Sequence, residues 1–504
     1  MGYSQVNSKS KDLILLLQPP VTIKQDDIAT FGIFPPIGLL YIASALEKEG
    51  YDVEIVDMLA EAVDNKKLLP GGKIRVGMSK DQIISLLSPK KPSVIGISNN
   101  FTTFSHDAII LAKTVRETLP DALIVMGGAH ASMEYESILR TGYVDCVVIG
   151  EGEETFVELI KGFKDRNIKE AKSIKGTVWF ENGHILKNNY REPVQNLDEL
   201  PIPAYHLLPM DKYIWQRQAN FAYAMRYPIG HMITTRGCIN NCIFCSTTKH
   251  FKRFRKRSVD NVLAEMKLLI DNYGIREFHF HDDSFMSDIE HVRMFCNRLL
   301  DEKMDIKWQV SQGINSNRLD RDLLKLMRDS GMYRVGFPIE SGSVDMLKYI
   351  RKPINLDKVK SLINVCNELG IYCFGCFMIG FPEETKEQIE ETISFIMQTS
   401  LDYIKVSITQ PLAGSVLYNE YKKLGLLNKS STSSTYFHTE FDTLHLKAEE
   451  LNKIRQDLVR SYSRKRIKRV LSIRGFKKYI LPKLQSFEDI NYFLKVAWMA
   501  IRGI

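Results

Sequence analysis

From His231 onward the chain repeats one pattern six times: a short apolar run, a polar run end, then an amphipathic stretch. Strands are expected at His231–Thr235, Arg276–His281, Ile306–Val310, Tyr333–Ile339, Ile371–Ile379 and Asp402–Ile408. The stretch after the first shows Val259, Val262, Leu263, Met266, Leu269 and Ile270 at helical spacing, with Ser258 placed to cap it. Repeated strand-then-helix units return the chain in one direction, so the strands pair in parallel. Six such units make a partial (β/α)6 barrel of the TIM type, with chemistry at the C-terminal mouth. The expected strand ends are polar: His281-Asp282-Asp283-Ser284, Ser311-Gln312-Gly313-Ile314-Asn315, Glu340-Ser341-Gly342-Ser343, Gly380-Phe381-Pro382-Glu383-Glu384-Thr385 and Gln410-Pro411-x-x-Gly414. Asp282 and Asp283 read equally well as holders of polar cofactor groups and as a solvated turn.

The first strand runs straight into Thr234–Cys245, which holds Cys238, Cys242 and Cys245 in the spacing C-x3-C-x2-C. Three thiolates can ligate three irons of a [4Fe-4S] cube and leave the fourth iron open. A zinc knuckle would want a fourth N or S ligand, and the nearest candidate is His250. Cys146, Cys296, Cys366, Cys373 and Cys376 sit mostly in apolar runs and read as small buried residues. Cys373 and Cys376 form another C-x2-C, but an offset of three on a strand points them to opposite faces. The irregular spacing of the eight cysteines argues against a disulfide framework and for a reducing compartment.

The N-terminal part also alternates. Strands are expected at Leu13–Leu17, Asp52–Val56, Val94–Ser98, Leu123–Met126 and Val144–Ile149, with helices at Ile37–Glu49, stopped by Gly50, and Ser105–Thr118. Strands that are apolar throughout imply an α/β fold with a parallel sheet covered on both faces. Ligands of such Rossmann- or flavodoxin-like sheets sit beyond the carboxyl ends of the strands. There the sequence places Gln18-Pro19-Pro20, Ser98-Asn99-Asn100, the run Gly127 to Ser132, and the run Gly150 to Thr155. Glycines at these ends admit a ligand close to the backbone, or simply make tight turns. A hairpin around Asn182-Gly183 ends this domain, and the proline-bearing stretch Glu192–Tyr223 reads as a linker.

Hydrophobic content of 44% and charged content of 25% are ordinary for a soluble protein. The run Leu13–Leu17 is too short for a signal peptide, and no apolar stretch reaches bilayer-spanning length. A cytoplasmic location is expected. The run Phe251–Arg257 interleaves aromatics with cations, but a border of the cysteine loop is the expected role, with no nucleic-acid partner. Near the C-terminus, Leu424–Ser434 is a polar loop, Lys447–Arg469 a basic helix, and Lys477–Ile504 further helical, basic and amphipathic stretches. These are expected to pack beneath the barrel, with contact to a membrane surface as their other role. The expected domains are 1–190, 191–228 as linker, 229–425, and a helical region 426–504.

With Phe244 before its third cysteine, the loop resembles the cluster motif of the radical S-adenosylmethionine (SAM) enzymes. Pro35-Pro36-x-Gly38, Gly-Gly-x-His-x-Ser from Gly127 and Gly-Glu-Gly-Glu from Gly150 resemble the cobalamin-binding domain of their B12-dependent branch. The resemblance covers roughly residues 12 to 420. It implies that Cys238, Cys242 and Cys245 ligate the cluster, with SAM on the open iron. Phe244, Gln312, Glu340, Ser341, Gly380 and Pro382 would line the SAM site. Ser98, Gly127, Gly128, His130, Ser132, Gly150, Glu151, Gly152 and Glu153 would seat cobalamin. The Asp-x-His-x-x-Gly motif that supplies an axial histidine elsewhere is absent, which implies base-off cobalamin with His130 at the corrin edge or ordering its loop. The implied activity is methyl transfer from SAM, through methylcobalamin and a 5′-deoxyadenosyl radical, to an unactivated carbon or phosphorus of a small-molecule or lipid-like substrate. A flavodoxin- or ferredoxin-type donor would supply electrons. Two alternatives stand: a cyclase or rearrangement enzyme without methyl transfer, and a non-catalytic iron–sulfur protein. A tRNA methylthiotransferase is disfavoured, since the N-terminal domain holds only Cys146 and not a second three-cysteine set.

Overall fold

The computed structural model describes residues 13–25, 32–163, 168–215, 224–427 and 437–502. Residues 1–12, part of the expected linker (216–223) and most of the expected polar loop (428–434) lie outside the described residues. Two compact units form, one of Met1–Asp26 with Pro35–Lys212, the other of Asp27–Phe34 with Tyr213–Ile504.

The first unit is built on a seven-stranded sheet. Leu13–Gln18 pairs in parallel with Asp52–Asp57 on one side and Val94–Ser98 on the other. Leu123–Gly127 and Cys146–Val148 follow in parallel. That order is the flavodoxin-like 2-1-3-4-5 arrangement, whose ligand crevice opens between the first and third strands. The hairpin Thr177–Glu181 and His184–Lys187 extends the sheet in antiparallel fashion. Asn182 and Gly183 both have positive φ, 50° and 83°, as a type I′ turn requires. A second, three-stranded antiparallel sheet of Val21–Lys24, Lys66–Leu69 and Lys73–Val76 was not expected. It is tied to helix Ser105–Thr118 by buried Asp107, which accepts from Thr22 N at 2.7 Å and Thr22 Oγ1 at 2.8 Å.

The second unit holds six parallel strands in sequence order: Ile229–Met232, Glu277–Phe280, Lys307–Val310, Met332–Glu340, Tyr372–Ile379 and Tyr403–Ile408. The helix Val259–Tyr273 starts where Ser258 accepts from Asn261 N and stops at Gly274, whose φ is 65°. Thr235 leaves the first strand and, with Arg236, pairs antiparallel to Arg255–Lys256. The basic run is thereby built into the fold: Arg255 is buried, Arg257 is buried against Glu265, and Lys256 meets Asp288. The open edge of Tyr403–Ile408 is met by helix Ala448–Leu471, where Arg455 Nε donates to Val406 O at 2.7 Å. At the N-terminal ends of the strands, Tyr492 of helix Phe487–Arg502 sits edge-on to Tyr333 and Tyr372. Lys483, fully buried, reaches both oxygens of Asp402 at 2.6 Å. The last helix thus packs beneath the barrel, as expected, whereas helix Ala448–Leu471 covers its edge strand. No helix among the described residues is long and apolar enough to cross a membrane.

Candidate functional site

The cysteine loop is held from the second strand of the barrel. Asp282 is fully buried and accepts from Thr234 N at 2.6 Å, Thr235 N at 3.0 Å and Thr234 Oγ1 at 2.5 Å. Burial raises its pKa to about 6 against those hydrogen bonds. Asp283 accepts from Gly237 N at 3.2 Å and Thr247 Oγ1 at 3.4 Å, bracketing the loop at both ends. Both aspartates therefore brace the loop, Asp282 from a buried position and Asp283 from an exposed one. Gly237 has φ 82°, and a Cβ there would lie 2.4 Å from Arg253 O. Only glycine fits.

Within the loop, Asn240 N points at Cys238 Sγ (3.4 Å) and Thr247 N at Cys245 Sγ (3.5 Å), bonds that favour a thiolate. Burial pushes the Cys242 thiol up to about 11, against the pull of the nearby Lys352 ammonium. The three thiols lie within electrostatic reach of each other. Cys238, Cys242 and Cys245 are all free thiols on one short loop. A cube spreads its thiolates over separate irons, so the donor set fits a cluster. Cys373 and Cys376 occupy an unbroken strand. Cys373 lies beside Cys366, whereas Cys376 lies near Lys405, Glu340 and Lys352.

Glu340 ends the longest barrel strand at a slip in register, with a left-handed φ of 69°. Such strain at a buried carboxylate marks a position fixed by its surroundings. Its partner is Lys352 Nζ at 3.1 Å, on a side chain 13% exposed. Arg334, on the same strand, bonds instead to Gln309. Burial works against the charge on Lys352, and Glu340 and the Cys242 and Cys238 thiols outweigh it, so its pKa is raised. Lys352 was missed from sequence, where it is one cation of the turn Arg351-Lys352-Pro353.

The other expected SAM-site residues divide. Gln312 is exposed. Ser341 is fully buried and spends its hydroxyl on Thr392 at 3.0 Å and on Ser343 N at 3.1 Å, which braces the turn. Phe244 packs 6.2 Å from Phe381, between Gly380 and Pro382. Glu384 holds that turn by accepting from Gly380 N at 2.6 Å and Phe381 N at 3.2 Å. Below the mouth the barrel interior carries a buried polar chain. His231 meets His281 at 2.8 Å, and Glu277 meets His279 at 2.7 Å and Tyr333 at 2.6 Å. Burial lowers all three histidines, His281 to about 3, and keeps them neutral.

In the first unit the expected glycines do different jobs. A Cβ on Gly128 (φ 117°) would lie 2.5 Å from Asn100 Oδ1 and 2.7 Å from Asn99 O. Gly128 thus permits loop-on-loop packing, the tight-turn alternative for a glycine at a strand end. Gly152 faces Ile42 at 3.2 Å. By contrast, a Cβ on Gly150 would meet nothing within 4 Å, and one on Gly127 only Val148 at 3.8 Å. Ser132 Oγ donates to Gly128 O at 2.8 Å and accepts from Gly150 N at 3.0 Å, stitching two strand ends. Ser98 accepts from Asn100 Nδ2 at 3.1 Å, and Glu151 from Val194 N at 3.1 Å. Glu153 is buried at the start of its helix. His130 meets Thr102 Oγ1 at 3.0 Å, and burial lowers its pKa to about 4. These strand ends, open at Gly127 and Gly150, fit a flat ligand.

The two sheets and the cysteine loop define a B12-binding radical SAM enzyme, and the chain belongs to that family. Its residues 232–396 match the radical SAM superfamily and residues 28–160 the B12 binding domain. It is 33% identical to the uncharacterized methyltransferase PH0819 of Pyrococcus horikoshii over 98% of both chains. Cytidylyl-2-hydroxyethylphosphonate methyltransferase of Streptomyces wedmorensis is 32% identical over 82% of each. The anaerobic magnesium-protoporphyrin IX monomethyl ester cyclase of Cereibacter sphaeroides is 25% identical over 78% of this chain and 61% of its own. The fold is that of the methyltransferase TsrM from Kitasatospora setae, solved with cobalamin and a [4Fe-4S] cluster (TM-score 0.65, 16% identity, 83% of this chain and 79% of that one). It is also that of the cobalamin-dependent radical enzyme OxsB (TM-score 0.67, 18% identity, 96% and 72%).

Proposed function

We propose that this chain is a cobalamin-dependent radical SAM methyltransferase acting on an unactivated carbon, or phosphorus, of a small-molecule or lipid-like substrate. When bound, the cluster, SAM and cobalamin supply the radical and the transferable methyl group; the protein supplies position, charge and exclusion of water. Cys238, Cys242 and Cys245 hold the cluster. Lys352 offers an ammonium to the carboxylate of SAM, while Glu340 accepts from its amino group or ribose. Gly127 and Gly150 let backbone approach cobalamin, with neutral His130 ordering the loop between them. The observation that carries the reading is the three-cysteine loop braced by Asp282 and Asp283 at the mouth of a six-stranded barrel. Relatives named as methyltransferases support the reaction class.

Ring formation or rearrangement without methyl transfer is the second reading, favoured by the cyclase relative. Anaerobic reconstitution with methyl-labelled SAM, a reductant and cell extract separates them. Methyl transfer predicts 5′-deoxyadenosine together with a labelled product heavier by one methylene unit. Unlabelled product with 5′-deoxyadenosine would favour rearrangement, and no 5′-deoxyadenosine would remove both. Glu340→Gln or Lys352→Met should weaken SAM binding by about 1–3 kcal/mol, the scale for losing a charged hydrogen-bond partner, with iron content unchanged. A flavodoxin- or ferredoxin-type donor and a cytoplasmic location belong to the same proposal, supported by eight free cysteines. Membrane contact by the C-terminal helices is a separate proposal.

A further inference from the structure

The helix Phe487–Arg502 is apolar on two sides. One side carries Tyr492, packed on Tyr333 and Tyr372, with Val496 beside it. The other side carries Phe487, Ile490, Leu494 and Trp498, at 83%, 42%, 59% and 46% exposure. Their spacing of three or four residues draws a continuous stripe along the helix. Leu471 and Ile473, both 79% exposed, add apolar surface in the same C-terminal stretch. Scattered exposed apolar residues are normal, but a stripe of this kind marks an interaction site.

Charge identifies the partner. Residues 464–502 carry eleven Lys and Arg but two Asp and Glu, an excess of nine positive charges. The whole chain is +8, so everything outside this stretch is net −1. Some of these cations serve the fold, such as Lys483 on Asp402. Lys468, Arg474, Lys477 and Lys478 are exposed. Of the two acids, Glu488 is paired with Arg226. A polyanion in water would satisfy the cations and leave the aromatic and aliphatic stripe wet. An anionic bilayer surface takes both, because apolar side chains enter the acyl boundary while Lys and Arg stay among the headgroups.

We propose that the C-terminal stretch 464–502 docks the protein on an anionic membrane surface, with Phe487, Ile490 and Leu494 inserted and the exposed cations against headgroup phosphates. The helix lies on the membrane and does not span it.

The test is flotation of the full-length protein with vesicles of phosphatidylcholine alone or mixed with phosphatidylglycerol. Wild type should float with the anionic vesicles only, and raised salt should release it. The F487D/L494D variant changes exposed side chains only and should lose binding, with circular dichroism and iron content unaltered. K477E/K478E should weaken it by more than about tenfold, given about a fivefold effect per surface cation. Trp498 fluorescence should shift to the blue on anionic vesicles, a change absent in Trp498→Phe. Binding that is the same for both vesicle types, or that survives F487D/L494D, would overturn the proposal. So would failure of wild type to float. A concentration-dependent dimer that F487D/L494D abolishes would assign the stripe to a second copy and overturn it as well.

Discussion

The loop after Leu123–Gly127 in the first unit and the cysteine loop in the second are secured by different means. The first is packed main chain against main chain: Gly128 lies where a Cβ would strike Asn99 and Asn100, and Ala131 N donates to Asn99 O at 3.1 Å. The second is held by carboxylates sent from the neighbouring strand, Asp282 and Asp283. Backbone packing leaves a rigid, chemically neutral rim, suited to a large ligand held by shape. Carboxylate bracing fixes a loop and leaves its three cysteines free, as the proposed cluster requires. The two devices predict different failures.

The largest effect belongs to the ligands themselves. Cys238→Ala, Cys242→Ala and Cys245→Ala should each abolish the cluster, read as iron content and the electron paramagnetic signal of the reduced protein. Cys373→Ala, buried beside Cys366, should leave both intact. Normal iron in Cys242→Ala would remove the assignment.

Next comes the brace. Asp282→Ala leaves Thr234 N, Thr235 N and Thr234 Oγ1 without their acceptor, at about 1–3 kcal/mol for each buried donor that finds no substitute. Iron occupancy should fall with all three cysteines present. Asp282→Asn keeps the Oδ1 that serves both backbone donors, and should retain most of the iron. Equal loss in both variants would show that charge, rather than the acceptor, is what the loop needs.

The glycines sharpen the same contrast. Gly128→Ala must strain the backbone and displace Asn99, so urea unfolding should show a loss of at least about 1–3 kcal/mol. Gly150→Ala meets no protein atom and carries only the strain of φ 81°, roughly 1–2 kcal/mol. If cobalamin lies on this rim, Gly150→Ala should nevertheless weaken its binding beyond what the stability change explains.

Much of this was legible. Apolar runs of four to nine residues between helical patterns marked both parallel sheets, and the strand ends named from sequence are strand ends. Glycines, however, have the same letter whether they face a ligand or a neighbouring loop, so Gly128 and Gly150 could not be told apart. The Asp282-Asp283 brace was hidden because its donors lie 36 to 48 residues away. The three-stranded sheet was missed for a local reason. Its strands are rich in Lys, and the turn signal Pro70-Gly71-Gly72, with φ of 76° and 67° at the glycines, was there to be read. Lys352 was invisible because a lone lysine in a turn is usually solvated, and only the fold carries it to Glu340.

The smallest effect is a pH dependence of stability. Glu384 repeats the carboxylate device at Gly380 and Phe381, but without a cation beside it, and burial raises its pKa from 4.5 to about 8. The folded protein then binds a proton that the unfolded chain releases above pH 4.5, so stability falls as pH rises from there through about 8. The buried histidines act in the opposite sense. Their lowered values mean that stability rises with pH, but only up to the ordinary 6.5. Asp282 levels off near 6. Between pH 6.5 and about 8, Glu384 should therefore dominate. Wild type should lose more stability across that window than Glu384→Gln, whose amide oxygen still accepts from the turn but cannot ionise. Parallel urea midpoints for the two proteins from pH 6.5 to 8.5 would show that Glu384 is already ionised in the fold, and would make it a charged brace.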